Sequence, residues 1–329
     1  MGKIFDAGPV KVNPGEKKQS YFPVMSRPDG SSIGIPLLIV NGIEDGPVLF
    51  VSCATHGDEL DSVYAAIEIF KELDPGKLKG VFFAASVVDL AGFEAHVSFD
   101  VSSMRENPVD YKELTGEHPG NSEGTLTQRV SYVVCNELIP RADYGMDLHS
   151  GGDRGTSIAL AGYFDVPGEF GAKSYEMAQQ FPVDLLWKLN ESYKVCIAAQ
   201  KAGVPFSLGE VTGEGRYRED DIRIYHTAIK NVMKHFNMLD GQPENIPNNR
   251  KCIEAETYCY AKKGSGILKP FKKTGDLMEK NSILGVVMDV YGNEVEEILA
   301  PFDGIVTGIR TKPVVWGGEV VFLVSRFVH

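Results

Sequence analysis

Cysteine is scarce and poorly placed to cross-link this chain. The five cysteines, Cys53, Cys135, Cys196, Cys252 and Cys259, are scattered, odd in number and without a CxxC pair, which argues against a disulfide framework. Several lie inside apolar runs such as Leu49-Phe50-Val51-Ser52-Cys53, where cysteine acts as a small buried hydrophobe. No apolar run approaches the roughly 18 residues needed to cross a bilayer. No cationic start followed by an apolar stretch marks a signal peptide. Positive charge is also in deficit: 33 Lys+Arg against 45 Asp+Glu leave a net charge of −12, which repels polyphosphates and makes nucleic acid a poor partner. There is no tandem repeat and no low-complexity tract. These absences point to a reduced, cytoplasmic protein with neither nucleic acid nor membrane as its partner.

What remains is ordinary globular material. Hydrophobic residues make up 43% and charged residues 24% of 329 residues, enough chain for two domains that need no staples. Residues 47–53 read as a short buried strand. The polar turn Thr55-His56-Gly57-Asp58-Glu59 follows, and then Leu60, Val63, Tyr64, Ile67 and Phe70 recur at helical spacing up to the stop at Asp74-Pro75-Gly76. Further strands are expected at 80–88, 144–148 and 204–211, and helices at 124–139, 171–181, 191–202 and 219–239. Alternation of this kind predicts a mainly parallel mixed sheet flanked by helices. After the polar, turn-rich stretch at 242–252 the pattern changes to short strand-like runs. We therefore expect an α/β catalytic domain over 1–245 and a small C-terminal all-β domain over 252–329.

The chemistry gathers at strand ends, where ligands of open parallel sheets bind. His56 and Glu59, three residues apart after one buried strand, can converge on one ion. His149 leaves the end of another strand within Asp147-Leu148-His149-Ser150-Gly151-Gly152. Two imidazoles and one carboxylate leave a fourth position of a zinc ion open for water, as in catalytic sites. His96, His226, His235 and His329 have no comparable neighbours and read as surface or helix-face residues. Glu210 ends the strand Val204-Pro205-Phe206-Ser207-Leu208-Gly209 on the same sheet edge. It is expected to move a proton from water to a leaving amine, with Glu214 as the competing candidate.

Taken in order, these residues resemble the succinylglutamate desuccinylase/aspartoacylase family, a branch of the zinc carboxypeptidase-like hydrolases. The resemblance rests on Gly46-Pro47 leading into His56-Gly57-Asp58-Glu59, on Asp147 to Gly152, and on the Glu210 strand end. Arg105 with Pro108 and Asp110, Pro119-Gly120 ahead of Gly124 to Arg129, and Gly264-Ser265-Gly266, Gly275-Asp276 and Ala300 to Gly304 in the C-terminal part add to it. It implies a zinc carboxypeptidase-like fold and one Zn2+ per chain on His56, Glu59 and His149. It further implies Glu210 as general acid/base, Arg105 as the group polarising the scissile carbonyl, and hydrolysis of the N-acyl amide bond of a small molecule. The sequence departs from the family where Asp-Leu-Asn-Arg grips a substrate carboxylate. Counting back from Pro119-Gly120, Thr115 stands for Asn, Gly116 for Arg and His118 for Phe. Glycine cannot form arginine's bidentate clamp, so substrate binding around Thr115, Gly116 and His118 is altered. Either another cation supplies the clamp, with Arg154 ahead of Arg216 and Arg218 as the candidate, or the substrate is neutral or differently charged there. The C-terminal domain lacks the lysine of a biotinyl or lipoyl carrier at its Met288 to Asn293 turn, so it is expected to shape the site entrance or an oligomer interface, which leaves a homo-oligomer open. The alternatives are a metallocarboxypeptidase acting on peptides and a non-catalytic zinc- or ligand-binding protein.

Overall fold

The computed structural model describes residues 2–95, 106–190 and 193–328. Its centre is a nine-stranded sheet. In chain order the strands are β1 Glu16–Ser26, β2 Ser32–Asn41, β3 Glu44–Cys53, β4 Lys79–Ala85, β5 Tyr144–Ser150, β6 Leu160–Phe164, β7 Leu185–Leu189, β8 Phe206–Val211 and β9 Lys251–Ile253. Their spatial order is β9-β7-β6-β8-β5-β3-β4-β2-β1. The five pairings β9/β7, β7/β6, β8/β5, β5/β3 and β3/β4 are parallel, and the three pairings β6/β8, β4/β2 and β2/β1 are antiparallel. The sheet is therefore mixed and mainly parallel.

Helices cover both faces, which is why the central strands are apolar on both sides rather than alternating. On one face α1 (Asp61–Glu72), α3 (Glu169–Ala178) and α5 (Glu219–His235) bury Ala65, Ile69, Met177, Tyr225 and Ile229 against Leu49, Val51, Met146 and Leu148. On the other, α2 (Leu126–Tyr132) and α4 (Lys194–Ala202) pack Leu126, Val130, Val195 and Ala199 with Phe50, Phe83, Phe206 and Leu208. Gly145 is needed on that second face. A Cβ there would lie 1.8 Å from the Phe206 ring, so a side chain would displace an aromatic anchor of the core.

Local reading and structure part ways at some ends. The helix expected over 124–139 stays α-helical only through Tyr132, and Val133–Leu138 widens into π-helical turns. The last helix ends at His235, well short of Gly241, because Asn237 takes a positive φ of 59°. The long hairpin of β1 and β2 and the strands β6 and β7 lie where no element was read from sequence.

The C-terminal segment forms two further sheets around Leu284, Val287, Val306, Val321 and Phe322. Residue 252, where the sequence places the start of the second domain, lies inside β9, which completes the large sheet beside β7. The C-terminal part also borrows a strand: Gly155–Ser157, just beyond β5, pairs antiparallel with Gly304–Arg310, with Ile309 opposite Thr156. Thr311 donates its backbone N–H to the Arg154 carbonyl at 2.7 Å and its hydroxyl to that of Asp153 at 3.0 Å. The β layer is thereby fastened to the loop that follows His149.

Candidate active site

The chain leaves β3 through Ala54, which sits at a positive φ of 46°, and this sharp exit turns Thr55 to Glu59 back over the sheet edge. Gly57 must be glycine, because a Cβ would lie 2.2 Å from the backbone nitrogen of Phe93, a contact no rotamer relieves. Asp58 ties this turn to the one after β5, accepting the Asp153 N–H at 2.8 Å.

His56, Glu59 and His149 meet there, each offering a ligand atom within 4.8 Å of the others. Glu59 is fully buried and lies between the rings. One of its carboxylate oxygens is 3.0 Å from His56 Nδ1, the other 2.9 Å from His149 Nδ1. The far nitrogen of each ring faces a second carboxylate: His149 Nε2 is 3.0 Å from Asp147, and His56 Nε2 is 3.2 Å from Glu113. Asp147 also accepts from the Thr55 hydroxyl at 3.0 Å. The Tyr225 hydroxyl donates to the His149 carbonyl and pins the strand end from the opposite face.

These partners set the charges. Burial works against an ionised Asp147, but the charge and hydrogen bond of His149, helped by His118 and Thr55, hold its pKa below the usual carboxylate value. Burial likewise opposes ionised Glu113, yet hydrogen bonding and charge from His56, with the Thr115 hydroxyl and N–H, bring it down to about 2.

Each imidazole therefore has a carboxylate on both sides, an arrangement that fits a divalent cation. Without one, both rings would have to be protonated on both nitrogens, and three carboxylates would still outnumber two imidazolium ions. With a cation at the Nδ1 side, each ring stays neutral and gives its single Nε2 proton to Asp147 or Glu113. That is the carboxylate–histidine–metal pattern which orients ligating rings.

The cluster opens into a cavity of about 680 Å³. His56, Asp147, His149, Leu208 and Glu210 belong to its floor and sides, and the C-terminal segment adds Glu256, Tyr258, Arg310 and Phe322. Glu210 is in direct register with His149 on neighbouring parallel strands, so both point from the same sheet face. Thr115, Gly116 and Arg154 line the cavity. His118 is buried behind it, its Nδ1 2.7 Å from the Ser131 hydroxyl and 3.3 Å from Cys135 Sγ, and burial lowers its pKa to about 4. Glu214 forms an ion pair of 2.9 Å with Arg218, Arg218 also lies 3.1 Å from Asp221, and Arg216 is 3.5 Å from Glu214. None of Glu214, Arg216, Arg218 and Asp221 lines the cavity. Arg105, like His96 and His329, lies outside the described residues.

The catalytic-domain model of the succinylglutamate desuccinylase/aspartoacylase family matches residues 45–236, which hold the whole cluster and Glu210. The chain belongs to that family. Among its relatives is the N-alpha-acetyl-L-2,4-diaminobutyric acid deacetylase of Halomonas elongata, 22% identical over 307 residues, covering 91% of this chain and 87% of the relative. Among solved structures, the product-bound ectoine utilization protein EutE (DoeB) from Ruegeria pomeroyi superposes with a TM-score of 0.85 at 21% identity, covering 94% of this chain and 95% of that one. A succinylglutamate desuccinylase/aspartoacylase from Rhodobacter sphaeroides gives 0.84 at 21% identity, covering 95% of each chain. These structures share the fold over nearly the full length of this family member, C-terminal β layer included.

Glu113 heads the Glu113-Leu114-Thr115-Gly116 segment where the family has Asp, but no spacing in the sequence pairs it with His56. Lys194, Trp187, Tyr193 and Glu256 line the same cavity and lie in no motif. Nothing in the local sequence marks them.

Proposed function

We propose that this protein is a zinc-dependent hydrolase that cleaves the N-acyl amide bond of a small molecule, with His56, Glu59 and His149 as metal ligands. The observation that carries this reading is the buried Glu59 carboxylate between two Nδ1 atoms, with each ring backed by a further carboxylate. Membership of a family named for desuccinylase and aspartoacylase activity, and similarity to a deacetylase of an N-acetylated diamino acid, support an acylated amine as substrate. The relative from Halomonas elongata is named for an N-acetylated diamino acid and not for a peptide, which favours a small molecule over a polypeptide and so speaks against a metallocarboxypeptidase.

A bound zinc ion supplies Lewis acidity, bringing the pKa of water near 7 and polarising a carbonyl. The residues do the rest. Asp147 and Glu113 hold the two rings in the tautomer that presents Nδ1. Glu210, alongside His149, takes the proton of the attacking water and delivers it to the departing nitrogen. Arg105 is proposed to stabilise the oxyanion that develops at the carbonyl, and Thr115, Gly116 and Arg154 to form part of the substrate wall.

The test combines zinc content with hydrolysis of a panel of N-acyl amines, amino acids and short peptides, with and without chelator. Zinc-loaded wild type should turn over a panel member and lose that activity with chelator. Glu210→Gln should keep stoichiometric zinc while kcat falls at least about 100-fold. Near-normal turnover by that variant would remove Glu210 from the mechanism. Zinc bound without turnover of any panel member would favour a binding protein.

A further inference from the structure

Positive charge also lines the cavity. Three cations line the cavity: Arg154, Lys194 and Arg310. Arg154 lies 3.5 Å from Asp153, and Arg310 lies 3.3 Å from Glu319. Lys194 forms no ion pair with the described residues. Its Nζ donates to the backbone carbonyl of Gly116, which uses one of its three hydrogens and leaves two for another acceptor.

Helix stability does not explain this lysine. Lys194 is the first residue of α4, whose first turn holds no acidic residue. A cation there opposes the helix dipole, which favours anions at that end. The first amides of the helix and the Lys194 ammonium act in the same sense, and both favour a negative group.

The neighbouring wall contains a second unmet group. Trp187 also lines the cavity and is 5% exposed, and its indole N–H is buried without a hydrogen-bond partner among the described residues. It packs edge-on against Tyr193, the residue before Lys194. A buried donor left unpaired is costly, so this wall awaits an acceptor as well as a negative charge.

The path from this wall to the cluster is short. Glu113, which faces His56, also accepts the backbone N–H groups of Thr115 and Gly116, and the Gly116 carbonyl reaches Lys194. A single tight turn therefore spans the metal-ligating residues at one end and the lysine at the other. Gly116 adds no side chain to that turn, and the Thr115 hydroxyl is held on Glu113.

Building on the amide-hydrolase reading above, we propose that Lys194 is the residue that recognises a carboxylate on the substrate, and that the substrate is an acylated amine carrying negative charge at the end away from the scissile bond. Lys194 selects this substrate by charge, at a position remote in sequence from the 115–116 turn.

The experiment uses matched pairs in which one negative charge is present or blocked: N-acetyl amino acids against their primary amides, and N-succinyl amines against their methyl esters. For zinc-loaded wild type, Lys194→Gln and Lys194→Arg, the ratio of kcat/KM for the charged member to that for the blocked member is measured. The wild type should prefer the charged member of at least one pair. Lys194→Gln should lower that ratio about tenfold or more, chiefly through KM, as expected for lost ground-state binding. Lys194→Arg should retain most of it. An absence of charge preference in wild type, or a Lys194→Gln ratio within twofold of wild type, overturns the proposal. If wild type hydrolyses no pair, the amide-hydrolase reading fails. Calorimetric binding of the same pairs to wild type and Lys194→Gln then decides the lysine's role by the same ratio.

Discussion

Asp147 offers a direct test of how the histidines are held. It is buried, with one oxygen 3.0 Å from His149 Nε2 and the other 3.0 Å from the Thr55 hydroxyl. In Asp147→Asn the amide oxygen can still accept the Nε2 proton, and the amide nitrogen can face Thr55, whose oxygen is able to accept. The loss is then one of charge alone, and supporting carboxylates of this kind contribute about 10- to 100-fold to metal affinity, or about 1.4–2.8 kcal/mol. The asparagine variant belongs at the lower end of that range. Asp147→Ala removes both bonds and leaves a buried N–H unpaired, adding about 1–3 kcal/mol. It also frees the ring to carry its proton on Nδ1, the ligand atom, so this variant should reach or exceed the upper end. The assay is zinc competition against a chromogenic chelator, with circular dichroism and thermal melting to confirm folding. The expected order of affinity is wild type, then Asn, then Ala, with steps of about tenfold. If folded Asp147→Ala binds zinc within twofold of wild type, the orienting role of Asp147 is refuted.

Two further predictions concern the scaffold. Gly57→Ala places a methyl group 2.2 Å from a backbone nitrogen, so it should cost about 1–3 kcal/mol, lower the melting temperature and weaken zinc binding together; an unchanged melt would show that the turn is free to move. Burial lowers the His118 pKa from 6.5 to about 4, so the folded state binds its proton less readily than the unfolded chain. The stability this neutral histidine contributes is fully present above about 6.5 and is lost as pH falls toward about 4, to the extent of about 3 kcal/mol. In chelator-treated protein, His118→Phe should flatten the fall in denaturation midpoint across that window relative to wild type, and parallel curves would count against the assignment.

Local chemistry alone specified much of this protein. A short apolar strand bounded by a glycine and a polar turn can only be buried, so Val48 to Cys53 delivers His56 and Glu59 to a sheet edge, and Tyr144 to Leu148 delivers His149. The alternation of such strands with amphipathic helices was enough to predict a mainly parallel sheet covered on both faces. The identity of neighbours was not legible. Glu210 stands beside His149 because β8 pairs with β5, and Glu113 reaches His56 across 57 residues of sequence. The strand order that brings these residues together leaves no periodic trace in the chain. The strands β6, β7 and β9 run antiparallel to the block of β8, β5, β3 and β4, and Gly155–Ser157 hydrogen-bonds to Gly304–Arg310, so a distant β layer comes to line the cavity. Residue type and local pattern determined which groups could ligate a metal. Long-range backbone pairing, which depends on main-chain hydrogen bonds common to every residue but proline, decided what surrounds them and where the lysine stands.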